Sequence, residues 1–146
     1  METNIDLQRF LDAQRQDYQT ALKEIKAGKK RSHWMWYIFP QVAGLGFSST
    51  SVYYSIKSME EASAFLNHPV LGANLREITK ILLQLPERNA RTILGSPDDM
   101  KLRSCMTLFA HVAGTEEVFK QVLAEFFEGQ MDSKTLQILD AASRKS

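Results

Sequence analysis

Between Gly28 and Gly46 the chain reads Gly-Lys-Lys-Arg-Ser-His-Trp-Met-Trp-Tyr-Ile-Phe-Pro-Gln-Val-Ala-Gly-Leu-Gly, a stretch that holds both tryptophans and the densest basic cluster. Trp34, Trp36, Tyr37 and Phe39 crowd together directly after a histidine and directly before Pro40. Aromatic side chains bury about 150–250 Å² each, so this group is expected to form the centre of a small core with helices packed around it. If Ser32 caps a short helix, His33 and Trp36 share one edge with Tyr37, while Trp34 and Ile38 share another, and Pro40 follows its end. A strand is the competing reading, because a continuous apolar run is ambiguous by period alone. A short helix or an irregular buried turn is the preferred one.

The 146 residues fit one domain, and a domain of this size buries about 68–70 % of its unfolded surface. A single cysteine, Cys105, excludes an internal disulfide and a cysteine-rich zinc site, and it suits a reducing cytoplasm. The first residues lack the basic and apolar regions of a signal peptide. No apolar run approaches the length of a membrane span. With 18 basic and 17 acidic residues the net charge is +1, which gives no global attraction to DNA or to a membrane. Any anionic partner must be met locally.

Helical spacing runs through most of the chain. Thr3 or Asn4 is placed to cap a first helix in which Leu7, Phe10, Leu11, Tyr18, Ala21, Leu22 and Ile25 recur at intervals of three and four up to Gly28. Gln14 lies on the same stripe, so its amide is expected to find a buried structural hydrogen bond, with the Trp-rich segment a candidate partner. Gly44 and Gly46 mark a loop, and Ser48 is placed to cap a short helix carrying Val52, Tyr53 and Ile56. Ser58 and Glu61 have the spacing of a capping box. His68-Pro69 marks a break, with Pro69 in the first turn of a helix that ends near Pro86. A small helix spans Ala90 to Leu94.

Ser96-Pro97-Asp98-Asp99 reads as a further start: a capping serine, a proline at the first position and two carboxylates against the positive end of the helix dipole. That helix is expected to reach Ala113, with restarts at Thr115 and Asp132 and fraying from about Ser143. No segment alternates at period two over any length. The fold class is therefore all-α, a compact single-domain bundle of about seven to eight short helices spanning residues 1–146.

Residues able to carry chemistry fall in two places. On the helix from Pro97, Asp98, Lys101, Ser104 and His111 form a polar stripe opposite the core face, with Asp98 and Lys101 spaced to pair. Near Trp34 and Trp36, His33 is either a packed imidazole or a general acid or base. His33, His68 and His111 lack the paired spacing of a zinc helix, so no metal site is expected. No cofactor signature is present either. Gly44-x-Gly46 is a fragment of a phosphate loop without its third glycine. Cys105 falls on the apolar face, where a thiol stays protonated and inert. Lys29, Lys30 and Arg31 either complement the dipole at the end of the first helix or form a rim that attracts phosphate beside the tryptophans.

Four words of the sequence carry a resemblance: Lys30-Arg-Ser-His-Trp-Met-Trp-Tyr-Ile-Phe-Pro-Gln41, Gly44-Leu-Gly46, His68-Pro-Val-Leu-Gly72 and Asp99-Met-Lys-Leu-Arg-Ser-Cys-Met-Thr-Leu-Phe109. Together they resemble a bacterial family known as domain of unknown function 1810. Its members are often labelled calpastatin, a protease-inhibitor name that nothing in these residues supports. The resemblance implies an all-α single domain and brings no established reaction. Cys105 stands where a second serine is expected in relatives, which further weakens a catalytic role for its thiol.

The family words also draw attention to polar residues that packing does not require, namely His33, Gln41, Lys101, Ser104 and Thr107. If these converge, the expected site is a cleft floored by Trp34 and Trp36, with Gly44 and Gly46 at its edge and Lys101 binding an anion. His33 would act as acid or base, and Gln41, Ser104 and Thr107 would orient the ligand. The expected ligand is a nucleotide or ADP-ribose-like small molecule. The alternative is a non-catalytic module whose basic cluster docks an acidic protein or single-stranded RNA.

Overall fold

In the computed structural model, which describes residues 5–144, the described residues form nine helices. They are α1 (Gln8–Lys26), α2 (Met35–Ile38), α3 (Ser49–Tyr53), α4 (Met59–Asn67), α5 (Leu71–Gln84), α6 (Ala90–Leu94), α7 (Asp98–Ala110), α8 (Val118–Phe127) and α9 (Ser133–Arg144). The extended pairing among these residues is an isolated bridge between Val42 and Ile56. The chain is all-α, as its spacing predicts. No helix among the described residues is long and apolar enough to cross a membrane.

Local side-chain bonds set most helix starts. Ser48, Ser58, Asn89 and Asp132 each accept a backbone N–H from the first turn of α3, α4, α6 and α9. In the expected box at Ser58, Glu61 reaches back past the serine to the N–H of Lys57 at 2.7 Å. The start of α5 is capped by an imidazole: Nδ1 of His68 accepts from the N–H groups of Val70 and Leu71. Pro69 therefore precedes the helix rather than sitting in its first turn.

Other boundaries depart from expectation for identifiable reasons. Ser32 does not cap α2, because its hydroxyl donates to Glu24 at 2.6 Å. Trp34 is the residue before that helix. Ser96 does not cap α7: Pro97 precedes the helix without a side-chain cap bond, and the Asp99 N–H donates to the Gly95 carbonyl. That helix ends at Ala110 rather than Ala113, as His111 Nδ1 bonds the Thr107 carbonyl and the Thr115 hydroxyl donates to the Phe109 carbonyl. Ile56 lies beyond α3, in the bridge to Val42. Helix α9 extends through Ser143 to Arg144. Thr3 and Asn4 lie outside the described residues, and within them Asp6 Oδ1 accepts from the Gln8 N–H at 2.9 Å at the head of α1.

Helix α5 packs on α1, α4 and α8, and α7 packs on α8, α6 and α9, so these two form the interior of the bundle. The aromatic spine is built from phenylalanines rather than from the Trp-rich segment. Phe10 meets Phe65 edge-on at 5.0 Å, Phe65 meets Phe109 at 5.6 Å, and Phe109 meets Phe119 at 5.9 Å. These four rings join α1, α4, α7 and α8. A phenyl ring has no polar atom to satisfy, whereas tryptophan and tyrosine need a partner when buried and so take places at the edge of a core. The Trp-rich segment is buried, but as a side layer against α1. Gln14 ties it down by donating to the Tyr37 carbonyl at 2.8 Å and accepting from Asn74 at 2.9 Å, as its place on the α1 stripe implied.

The turn between α4 and α5 is close-fitting. A β-carbon at Gly72 would stand 1.9 Å from the Leu66 carbonyl oxygen.

Candidate functional site

The connection from α1 to α2 is organised by one carboxylate. Glu24 accepts from the N–H of Arg31 at 2.8 Å, the N–H and hydroxyl of Ser32 at 3.0 and 2.6 Å, and the Trp34 indole N–H at 2.9 Å. Burial alone would raise its pKa, but these four donors outweigh that cost and lower it from the ordinary 4.5 to about 2. The chain first reverses at Gly28, whose φ of 80° suits glycine. The Gly28 and Lys29 N–H groups then close the helix end on the carbonyls of Ile25 and Glu24. Trp34, 1 % exposed, is thus fixed at both its polar and apolar ends.

Beyond Trp34 the geometry changes from neutral donors to charged ones. Lys30 Nζ lies 2.9 Å from Asp98 Oδ2, and Lys101 Nζ lies 3.3 Å from Asp98 Oδ1. The two lysines therefore share one carboxylate. Each ammonium also faces an indole, Lys30 at 5.1 Å from the Trp34 ring centre and Lys101 at 4.9 Å from that of Trp36. The Lys30 side chain is 9 % exposed and that of Lys101 22 %, so Coulomb attraction here is screened less than on an open surface. The Asp98–Lys101 pairing follows from its spacing on α7, but the arrival of Lys30 from the α1–α2 connection does not.

The remaining candidates divide into exposed and sequestered groups. His33 is exposed, Gln41 is half-buried, and neither side chain has a polar partner among the described residues. Trp36 is half-buried. Ser104 and Thr107 are 4 % and 0 % exposed. Their hydroxyls donate to the carbonyls of Met100 and Arg103, and Thr107 Oγ1 also accepts the Asp132 N–H at 2.9 Å. They hold α7 and the start of α9, so the expectation that they face a ligand gives way to a packing role. Gly44 has φ 106°, and a β-carbon there would meet Ile138 of α9 at 3.2 Å. Its glycine serves backbone shape and close packing. Cys105 is fully buried, and burial pushes its thiol pKa well up, in keeping with an inert sulfur.

Residues 4–139 match the family described as "Protein of unknown function (DUF1810)". The chain belongs to the DUF1810 family. It is also similar to a solved structure, that of the conserved hypothetical protein Rv1873 from Mycobacterium tuberculosis. The two are 44 % identical with a TM-score of 0.90, over 92 % of this chain and 96 % of that one. No curated protein matches the chain at a significant level.

Within this DUF1810 chain, folding brings together Trp34, Trp36, Lys101, Lys30 and Asp98, from two segments far apart in sequence. Glu24 was not singled out in the sequence, and Lys30 was expected beside the tryptophans but not on Asp98. Glu24 lies off the apolar stripe of α1, and its role depends on where the chain returns after Gly28. No group of three or more His, Cys, Asp or Glu side chains suited to a metal ion occurs among the described residues.

Proposed function

We propose that this DUF1810 domain binds a small anionic ligand that carries a flat ring, of the nucleotide or ADP-ribose kind, where Trp36 meets Lys101. The observation that supports this is the Lys30–Asp98–Lys101 bridge. Two ammonium groups on one carboxylate leave a net positive charge beside a half-buried indole. An anionic group would meet that surplus where screening is reduced, and a planar ring can stack on an aromatic face. His33 and Gln41 contribute unpartnered ring and amide groups on the same α2 segment and the loop that follows it. If a reaction occurs, the exposed imidazole of His33 is its acid or base, the role imidazole fills most often.

The test is a thermal-shift screen of purified protein against nucleotides and nicotinamide compounds. A ligand at about 100 times its dissociation constant adds about 2.7 kcal/mol. Trp36→Ala and Lys101→Ala should each abolish the shift, and His33→Gln should keep it while stopping turnover. A flat response to every anionic, ring-bearing metabolite would sink the reading.

A second reading, a non-catalytic module that docks an acidic protein or single-stranded RNA, draws on Lys29 and Arg31, whose side chains have no acidic partner among the described residues. Salt-sensitive RNA retention that is lost in Lys29→Ala with Arg31→Ala and survives His33→Ala would favour it.

A further inference from the structure

Some of the described cations are taken up by the fold and others are not. Arg9, Lys30, Arg76, Arg88 and Lys101 each reach a carboxylate. Lys26, Lys80, Arg91, Lys120 and Lys134 show no such contact among the described residues, and three further cations gather about a depression of about 350 Å³ at the C-terminal end of α1, lined by Thr20, Lys23, Glu24, Ala27, Lys29 and Arg31. Its three basic side chains contact no acceptor among the described residues. Its single carboxylate, Glu24, is already occupied by four donors from the protein. The depression thus carries three cations against one carboxylate, a surplus of positive charge, and the hydrogen-bonding positions of that carboxylate are already taken.

The helix dipole does not account for this arrangement. Its influence fades within the last turn, where Lys23 and Lys26 already stand. Lys29 and Arg31 lie past the reversal at Gly28, and the backbone carbonyls at that end are bonded by Gly28 and Lys29 N–H groups. These two side chains are therefore not needed to finish the helix. The Glu24 bonds to the Arg31 and Ser32 N–H groups hold the returning strand of chain beside Lys23, which keeps the cations near one another despite their repulsion.

We propose that this depression is a binding site for a small ligand bearing several adjacent phosphates, such as a free oligophosphate or the oligophosphate tail of a nucleotide. A multiply charged anion matches three cations that outnumber the one carboxylate beside them. The planar guanidinium of Arg31 suits two phosphate oxygens at once, and the Lys23 and Lys29 ammoniums act as point charges. Thr20 adds a polar, uncharged side chain to the lining. This site is separate from the Trp36–Lys101 surface and does not depend on it.

The experiment is isothermal titration calorimetry of the full chain with tripolyphosphate, with sulfate at matched ionic strength as the control. Tripolyphosphate should bind, sulfate should not, and the affinity should fall as salt rises. Replacing Lys23, Lys29 and Arg31 together by alanine should weaken binding about tenfold or more, with the circular dichroism unchanged. The charge reversals Lys29→Glu and Arg31→Glu should remove it. Trp36→Ala should leave tripolyphosphate binding intact while abolishing any nucleotide shift that depends on stacking. The proposal is overturned if tripolyphosphate does not bind, if sulfate binds equally, or if the triple variant binds as before.

Discussion

The two ends of α1 handle positive charge in opposite ways. At the first end, Arg9 is enclosed: its guanidinium donates to the carbonyls of Asp6, Tyr53 and Ser55 and to Glu61, and it lies 4.3 Å from the Phe10 ring centre. These bonds serve the fold, tying α1 to the end of α3, to the connection that follows it and to α4. At the other end, Lys23, Lys29 and Arg31 surround a depression and touch no acceptor among the described residues. The carboxylates differ to match. Glu61 takes a cation at 3.1 Å, whereas Glu24 is filled by uncharged donors and leaves its cationic neighbours alone. A charge that the fold consumes and a charge that the fold holds out are therefore distinguishable by their partners, although both look alike in a sequence.

Substitutions at the two ends should separate these roles. The largest effect is expected at the enclosed end. Arg9→Ala leaves Glu61, at 11 % side-chain exposure, with the Lys57 N–H but without its cation, and loss of one partner of a buried pair costs about 3 kcal/mol, read as a lower urea midpoint. Next comes Glu24→Ala, which removes the acceptor of four donors and should cost about 2 kcal/mol. Because the folded state lowers the Glu24 pKa to about 2, its contribution is present above the ordinary value of 4.5. That contribution is lost as pH falls from there towards 2. Acid titration of Glu24→Gln should lack that part of the stability loss, and an unchanged acid profile would show that the carboxylate is not the lock described.

Lys30→Ala should follow at about 1.5 kcal/mol, with Lys101→Ala smaller, as Lys101 is the more exposed of the two lysines on Asp98. The smallest changes are expected at the unpaired rim. Lys29→Ala and Arg31→Ala should each shift stability by no more than about 0.5 kcal/mol. A loss there as large as that of Arg9 would erase the contrast between the ends.

The helices were legible where local chemistry decides them. Ser48, Ser58 and Asp132 cap as their spacing implies, and the α1 stripe placed Gln14 against the aromatic segment. Ser32 and Ser96 misled for a common reason, since a serine's hydroxyl or its place at a cap can be taken by partners that are distant or backbone-borne. Ser32 prefers Glu24, and the Gly95 carbonyl receives Asp99. The aromatic cluster was legible as buried but not as peripheral, because only the assembled bundle reveals that Phe10, Phe65, Phe109 and Phe119 meet in its middle. At the candidate site, Trp36 and Lys101 do come together. Ser104 and Thr107 share their helix but not their surroundings, and a one-dimensional pattern of polar positions does not record which hydroxyl is satisfied by its own preceding turn.

The tight corner at Gly72 bears on which substitutions the fold tolerates. With the Leu66 carbonyl already where any methyl would go, the corner between α4 and α5 has no room for a side chain at this position. Alanine at that point acts as a wedge, and its leverage passes along α4 through Phe65 into the phenylalanine spine.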